Sequence, residues 1–186
     1  RTLRVLRGYM ESYGFELRVV PQTNGRIAPE SLVNAMEDAF AVYFEQPNFF
    51  GQIEDAKAIC EAVHKRNVKA VMGVNPVAMA IFQSPGEAGA DVAVGEGQPL
   101  GMPLLFGGPG LGFMACRAEL MRSLPGRIVG QTKDLDGRTA YVLTLQAREQ
   151  HIKRERAASN ICSNEAHCAL TAAVYLSAMG RQGLIE

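Results

Sequence analysis

Seven glycines crowd residues 95–112, GEGQPLGMPLLFGGPGLG, and no lysine falls among them. Glycine at that density marks backbone that turns tightly or is closely approached by another group, and loops between strands commonly carry sites. Phosphate cradling is the first chemistry to test. Gly95-x-Gly97-x-x-x-Gly101 misses the dinucleotide fingerprint by one residue, and no helix opens directly behind it. Without a Gly-Lys-Ser/Thr run, a nucleotide P-loop is excluded. The loop reads either as a tight crossover in which larger side chains would collide, or as a site built on its polar members. Glu96, Gln98, Gly107 and Gly108 are then candidate cleft or interface residues.

Gln46-Pro47-Asn48-Phe49-Phe50-Gly51 stands at the exit of one apolar run and the entrance of a helical one. In an open parallel sheet, ligands bind outside the carboxyl ends of the strands, so Asn48 joins the candidates. The plainer reading is a helix-entry turn whose two phenylalanines anchor the helix to the sheet. Residues 147–156, AREQHIKRER, gather Arg148, His151 and further cations, which invites a nucleic-acid reading. Glu149 sits four residues before Lys153 in the favourable helical order, and the stretch has no aromatic side chain on which a base could stack. A solvated or interface helix fits it better, with Arg148 and His151 at a cleft or subunit contact.

Cys60 lies one helical turn from His64, and His167 adjoins Cys168, so a mixed metal site can be drawn. The four cysteines include no CxxC pair, and cysteine commonly serves as a small buried apolar residue, so no metal site is expected. Reduced thiols point to a cytoplasmic setting. Nineteen basic and nineteen acidic residues cancel, which leaves no global field to recruit nucleic acid or an anionic membrane. No apolar run reaches the length of a membrane span. The first residues, RTLRVLRGYMESYG, form an amphipathic helix pattern without a signal peptide's apolar centre, and opening inside a helix implies a piece of a longer protein.

These residues must be positioned by alternating elements. The pattern predicts a helix at the start, strands over 16–20, 41–44, 68–74 and 90–94, and a helix from Pro29. A further helix carries Ile53, Ala56, Ile59, Cys60 and Val63 on one face, with Glu54 and Asp55 in its first turn. A short helix is expected over 78–82 and a turn at Ser84-Pro85-Gly86. Strand, helix and strand with short joints imply parallel pairing and a sheet covered on both faces. Beyond the glycine loop come a strand at 113–116, a short helix over 117–124 and a hairpin turning at Asp136-Gly137. A small-residue helix over 164–179 follows, with Ala166, Leu170, Ala173 and Ser177 on the face expected to dock. Residues 1–145 read as a large α/β domain, in part, and 146–186 as a helical segment leading into a small domain.

Four runs taken together, QPNFFGQIEDA from Gln46, GADVAVGEGQPLGMPLLFGGPGLGFMA from Gly89, PGRIVGQTKDLDGR from Pro125 and LTLQAREQHIKRERAASNICSN from Leu143, resemble one family. It is subunit 1 of the split glycine decarboxylase, the P-protein of the glycine cleavage system, of which this chain looks like an internal fragment. The resemblance implies a three-layer αβα fold with a mostly parallel sheet, like the large domain of aminotransferase-type (fold type I) pyridoxal-phosphate (PLP) enzymes, and the start of a small C-terminal domain. It also implies the chemistry: the cofactor ring is an electron sink while carbon dioxide leaves glycine, and the aminomethyl group passes to the lipoyl arm of the carrier H-protein.

That chemistry needs a lysine to hold PLP and a carboxylate for its ring nitrogen. The chain has no lysine between Lys69 and Lys133; the loop where one would sit reads Gly95-Glu96-Gly97-Gln98-Pro99-Leu100. The strand that would offer the carboxylate reads Val71-Met72-Gly73-Val74-Asn75, with an apolar side chain and a neutral amide. The expectation is a subunit with no catalytic or cofactor-binding residue of its own, working with a PLP-bearing subunit 2. The alternatives are an independent PLP enzyme with its lysine elsewhere, or a phosphate or nucleic-acid binding module.

Overall fold

The structure, a computed structural model, describes residues 1–108, 110–125, 128–145, 150–157 and 165–186. They group into two compact units, Arg1–Val74 with Gln83–Ala90, and Asn75–Phe82 with Asp91–Glu186.

The first unit opens on α1 (Thr2–Ser12), which buries none of its residues. Residues 16–20, expected as a strand, form none; Arg18 instead donates to the Glu37 carbonyl at 2.6 Å and to Glu16 Oε2 at 2.9 Å. Extended backbone becomes a strand only where a partner offers its hydrogen bonds. The pairing falls just beyond, in a minimal hairpin of β1 (Gln22–Thr23) and β2 (Arg26–Ile27). Asn24 and Gly25 turn it with φ of 53° and 77°, the positive pair that a two-residue hairpin loop favours.

After α2 (Pro29–Ala35), the strand β3 (Ala41–Gln46), the helix α3 (Ala56–His64) and the strand β4 (Lys69–Val74) form a right-length crossover unit. β3 and β4 pair in parallel from Ala41↔Lys69 to Gln46↔Val74, as the spacing predicts. Ile59, Cys60 and Val63 of α3 are buried in one cluster with Leu32, Met36, Phe44, Val68 and Met72. The helix starts later than expected: Asp55 is its N-cap and accepts from Ala58 N at 3.0 Å, which leaves Glu54 and the exposed Ile53 outside. Ser84-Pro85-Gly86 also does more than turn, because it opens α4 (Pro85–Ala88). A reciprocal capping box between Ser84 and Glu87 stabilises that single turn.

The second unit begins with a 3-10 turn over Ala78–Ala80. It then carries β5 (Val92–Glu96) and β6 (Gly112–Cys116), antiparallel from Val92↔Cys116 to Glu96↔Gly112, with the glycine loop between them. A second 3-10 segment, Ala118–Ser123, replaces the short helix expected there. β7 (Ile128–Lys133) and β8 (Thr139–Thr144) form the predicted hairpin, its turn held by Asp134 Oδ1 accepting from the amides of Asp136 and Arg138, each at 2.9 Å. The basic stretch contributes α5 (Gln150–Lys153) and a 3-10 turn over Arg154–Arg156.

The last helix, α6 (Glu165–Ile185), breaks helical geometry at Gly180. Its buried residues are Cys168 and Ala172, whereas Leu170 of the face expected to dock is exposed. Apolar side chains of different sizes, among them Leu170, Val174, Tyr175, Leu176 and Met179, spread around this helix and hide which face packs. Cys60, Cys116 and Cys168 form no disulfide. Among the described residues no helix is long and apolar enough to cross a membrane.

Candidate functional site

The strand-exit loop of the first unit is a hydrogen-bonded clasp. Its Gln46–Pro47 peptide is cis. Asn48 Nδ2 donates to the Gly25 carbonyl and to Glu54 Oε1, both at 2.7 Å, and Asn48 Oδ1 accepts from Phe50 N at 2.9 Å and Gln52 N at 3.1 Å. Glu54, only 6% exposed, also accepts from Ile27 N at 3.2 Å. Buried Gln46 grips the Glu54 backbone on both sides, accepting from its N–H at 2.9 Å and donating to its carbonyl at 3.3 Å. Loop and hairpin are thereby tied to one carboxylate, and the strand to the backbone of the same residue.

The two phenylalanines do not anchor the helix. Phe49 is 90% exposed, Phe50 is exposed as well, and their rings meet edge to face at 5.5 Å. Glu54 is the residue that sequence reasoning misplaced. The signal lay in Asp55, a better N-cap than Glu54, which pushes the preceding glutamate out of the helix and toward the loop.

In the second unit the glycine loop closes on Glu96. Its Oε1 accepts from Gln98 N at 2.9 Å and from Leu111 N at 2.6 Å, and Gly97 N donates to the Leu111 carbonyl at 2.7 Å. Gln98 Nε2 donates to the Met102 carbonyl at 2.5 Å. A side chain at Gly110 would bring its Cβ within 2.8 Å of Glu96 Oε2, and one at Gly101, where φ is +84°, within 2.8 Å of Tyr175 on α6. These two glycines do specify close approach. Gly107 and Gly108 face open space instead, beside the tip formed by Leu104, Leu105 and Phe106.

The structure thus brings Glu96 and Gln98 together and places Gly107 and Gly108 further along the same loop. Asn48 belongs to the first unit. His151 is exposed on α5. Arg148 and Glu149, with the ion pair expected from Glu149 to Lys153, lie outside the described residues, as does Cys162. Among the described residues no group of three or more His, Cys, Asp or Glu side chains could hold a metal ion.

The exit of β4 holds Asn75, whose Oδ1 accepts from Val77 N at 3.0 Å and Ala78 N at 3.4 Å. On β4 itself Gly73 gives room to Tyr43, whose Cζ would stand 3.0 Å from an added Cβ. The Tyr43 hydroxyl donates to Glu45 Oε1 at 2.8 Å. Burial, and then this bond to a carboxylate, push its ionisation well above the ordinary phenol value.

The class of protein follows from solved structures of similar fold. The apo structure of cysteine desulfurase from Thermococcus onnurineus NA1 aligns with 96% of this chain at a TM-score of 0.60 and 18% identity. A cystathionine gamma synthase from Xanthomonas oryzae pv. oryzae aligns with 65% at 0.52 and 22% identity. The chain has the α/β fold, with a mixed, mostly parallel sheet, of PLP enzymes of fold type I.

Closer similarity is particular. The family model of the glycine cleavage system P-protein matches residues 1–186, and the chain belongs to that family. A crystal structure of glycine decarboxylase (P-protein) of the glycine cleavage system, in inhibitor-bound form, matches 97% of the chain at a TM-score of 0.88 and 42% identity, over 41% of its own length. The chain is 57% identical over 183 residues to the probable glycine dehydrogenase (decarboxylating) subunit 1 of Moorella thermoacetica. It is 54% identical over 183 residues to that of Desulfitobacterium hafniense. It spans 41% of the length of either relative, while 98% of this chain is matched.

PLP, which the fold class implies, does not fit the residues present. Where a lysine would follow β5, the chain has Glu96, Gly97 and Gln98 bonded among themselves and to Leu111 and Met102. Where a carboxylate would face the ring nitrogen, Asn75 offers a neutral amide whose oxygen already caps the next turn. Neither position can form the covalent link or hold the countercharge.

Proposed function

We propose that this chain belongs to the subunit of glycine decarboxylase that does not bind PLP, and that it acts by assembling with the PLP-bearing subunit 2. The assembled enzyme decarboxylates glycine and passes the aminomethyl group to the lipoyl arm of the H-protein, in the cytoplasm. The observation that carries this reading is the glycine loop, a closed turn around Glu96 where the fold class needs a lysine. Family membership and the naming of the relatives as subunit 1 support it.

In this reading the glycine loop, with Gln98, Gly107 and Gly108, and the segment bearing Arg148 and His151 shape the shared cleft or the path of the lipoyl arm. Asn48 keeps the strand exit rigid through its bonds to Gly25 and Glu54. Residues 146–186 lead from the large domain into a small one. The test is copurification. The full-length subunit carrying this chain, tagged and coexpressed with the PLP-bearing subunit, is expected to retain it, and to show no visible cofactor absorbance when purified alone. A yellow protein with glycine decarboxylase activity in the absence of the partner contradicts the reading.

A further inference from the structure

We propose that Tyr175 is a positioning residue: packed into the notch left at Gly101, it makes the shape of the glycine loop follow the placement of α6. This role rests on the assembly reading above, in which the loop shapes the shared cleft, and adds what sets that shape. Between Glu165 and Leu176 the covered positions of α6 are Cys168, Thr171, Ala172 and Tyr175. Their spacing of i, i+3, i+4 and i+7 is one helical face. The helix lies against the 3-10 turn Ala78–Ala80, whose approach Asn75 caps through Val77 N and Ala78 N. At the end of the covered face, Tyr175 meets Gly101. One helix therefore borders both the Asn75 turn and the glycine loop.

The fit at Gly101 leaves no room. A Cβ there would stand 2.8 Å from Tyr175 Cβ and Cδ2 and 2.9 Å from Cγ. Turning the ring moves Cδ2 but not Cβ, which is fixed to the helix backbone. The approach of the loop is thus set by where α6 lies and not by a side-chain rotamer. All three atoms are carbons, so the hydroxyl has no part in this contact.

From Gly101 the constraint runs along hydrogen bonds to both stems of the loop. Leu100 N donates to the Gly97 carbonyl at 2.9 Å and Met102 N to the Gln98 carbonyl at 3.2 Å. Gln98 N in turn donates to Glu96 Oε1 at 2.9 Å, and the same oxygen accepts from Leu111 N at 2.6 Å. A shift at Gly101 is thereby carried to Glu96 and across the neck of the loop to Leu111. The far stem faces the helix across an open cleft lined by Leu111, Gly112, Ala169 and Ala172, which leaves α6 room to move against it. Each of these contacts is internal to the chain.

Tyr175→Ala in the full-length subunit removes the ring and keeps a strong helix former, so α6 itself is retained. Amide hydrogen exchange, followed by mass spectrometry on peptides covering residues 97–102 and 110–112, is expected to accelerate about tenfold, while that of the β7–β8 hairpin stays unchanged. Tyr175→Phe, which keeps every carbon of the contact, is expected to restore the protection. With the PLP-bearing subunit and H-protein, Tyr175→Ala is expected to raise the KM for glycine or for H-protein severalfold at a near-constant kcat, and Tyr175→Phe to leave both as they were. Unchanged protection of the loop overturns the proposal. So does equal acceleration in the hairpin, or a fall in kcat with both KM values unchanged, since either signifies a general loss of folded protein. If the unsubstituted subunits together catalyse no glycine–bicarbonate exchange, the assembly reading fails and the positioning role falls with it, whereas the amide protection still shows whether Tyr175 holds the loop.

Discussion

Glu54 ties three pieces of the first unit together although it belongs to no helix or strand. Replacing it with alanine takes from Ile27 N its acceptor and from Asn48 Nδ2 one of its two acceptors in a part-buried setting, and is expected to cost about 2–4 kcal/mol. Glu54→Gln keeps one acceptor oxygen and is expected to cost about half as much; urea denaturation of both variants measures the difference. A loss below about 0.5 kcal/mol for Glu54→Ala would show that water replaces the clasp. At the same scale, the Tyr43 phenol is raised above 10.0, so its folded form favours the neutral hydroxyl. Its stabilising contribution is complete below 10.0 and is lost as pH rises through the folded value. Tyr43→Phe is therefore expected to leave unchanged the tyrosinate absorbance gained around pH 10. Neither role was legible in the sequence, because both depend on which distant backbone a side chain meets: Glu54 reads as a helix-dipole charge and Tyr43 as an ordinary strand aromatic.

Elements were legible where periodicity and capping agreed. α3 combines a four-residue buried face with an Asp cap, and the β3–α3–β4 unit follows with its parallel register. The failures share a cause in pairing: residues 16–20 have a strand's composition without a strand's partner, and α6 carries apolar side chains on more than one side. Two glycines test what the loops require. Gly101→Ala meets both a positive φ and the Tyr175 ring, and is expected to destabilise by roughly 2–4 kcal/mol. Gly137→Ala has the same backbone problem at φ +79° but open space around it, and is expected to cost about 1 kcal/mol. Equal losses in thermal melts would remove the close approach of the glycine loop to α6. In α4, bonds from the Ser84 hydroxyl and then the Ser84 amide hold the Glu87 carboxyl below its ordinary 4.5. That contribution is present above 4.5 and lost as pH falls through the folded value. Ser84→Ala is expected to move the Glu87 titration upward toward 4.5, followed by carboxyl NMR.

At the scale of the whole molecule, the glycine loop closes on Glu96 where the proposed function expects no lysine. That Gln98 and Asn75 are neutral amides is read from residue types alone. Their surroundings are not: Glu96 turned inward, Asn75 capping a turn, and an apolar tip left projecting are matters of backbone path. The central claim, that catalysis needs a second polypeptide to supply PLP, is tested most directly by glycine–bicarbonate carboxyl exchange in the presence of H-protein. The full-length subunit carrying this chain is assayed alone and then with the PLP-bearing subunit. The account predicts no exchange above background from the first and glycine-dependent exchange from the mixture. Exchange by the subunit alone, with a borohydride-reducible pyridoxyl group on one of its lysines, would contradict it.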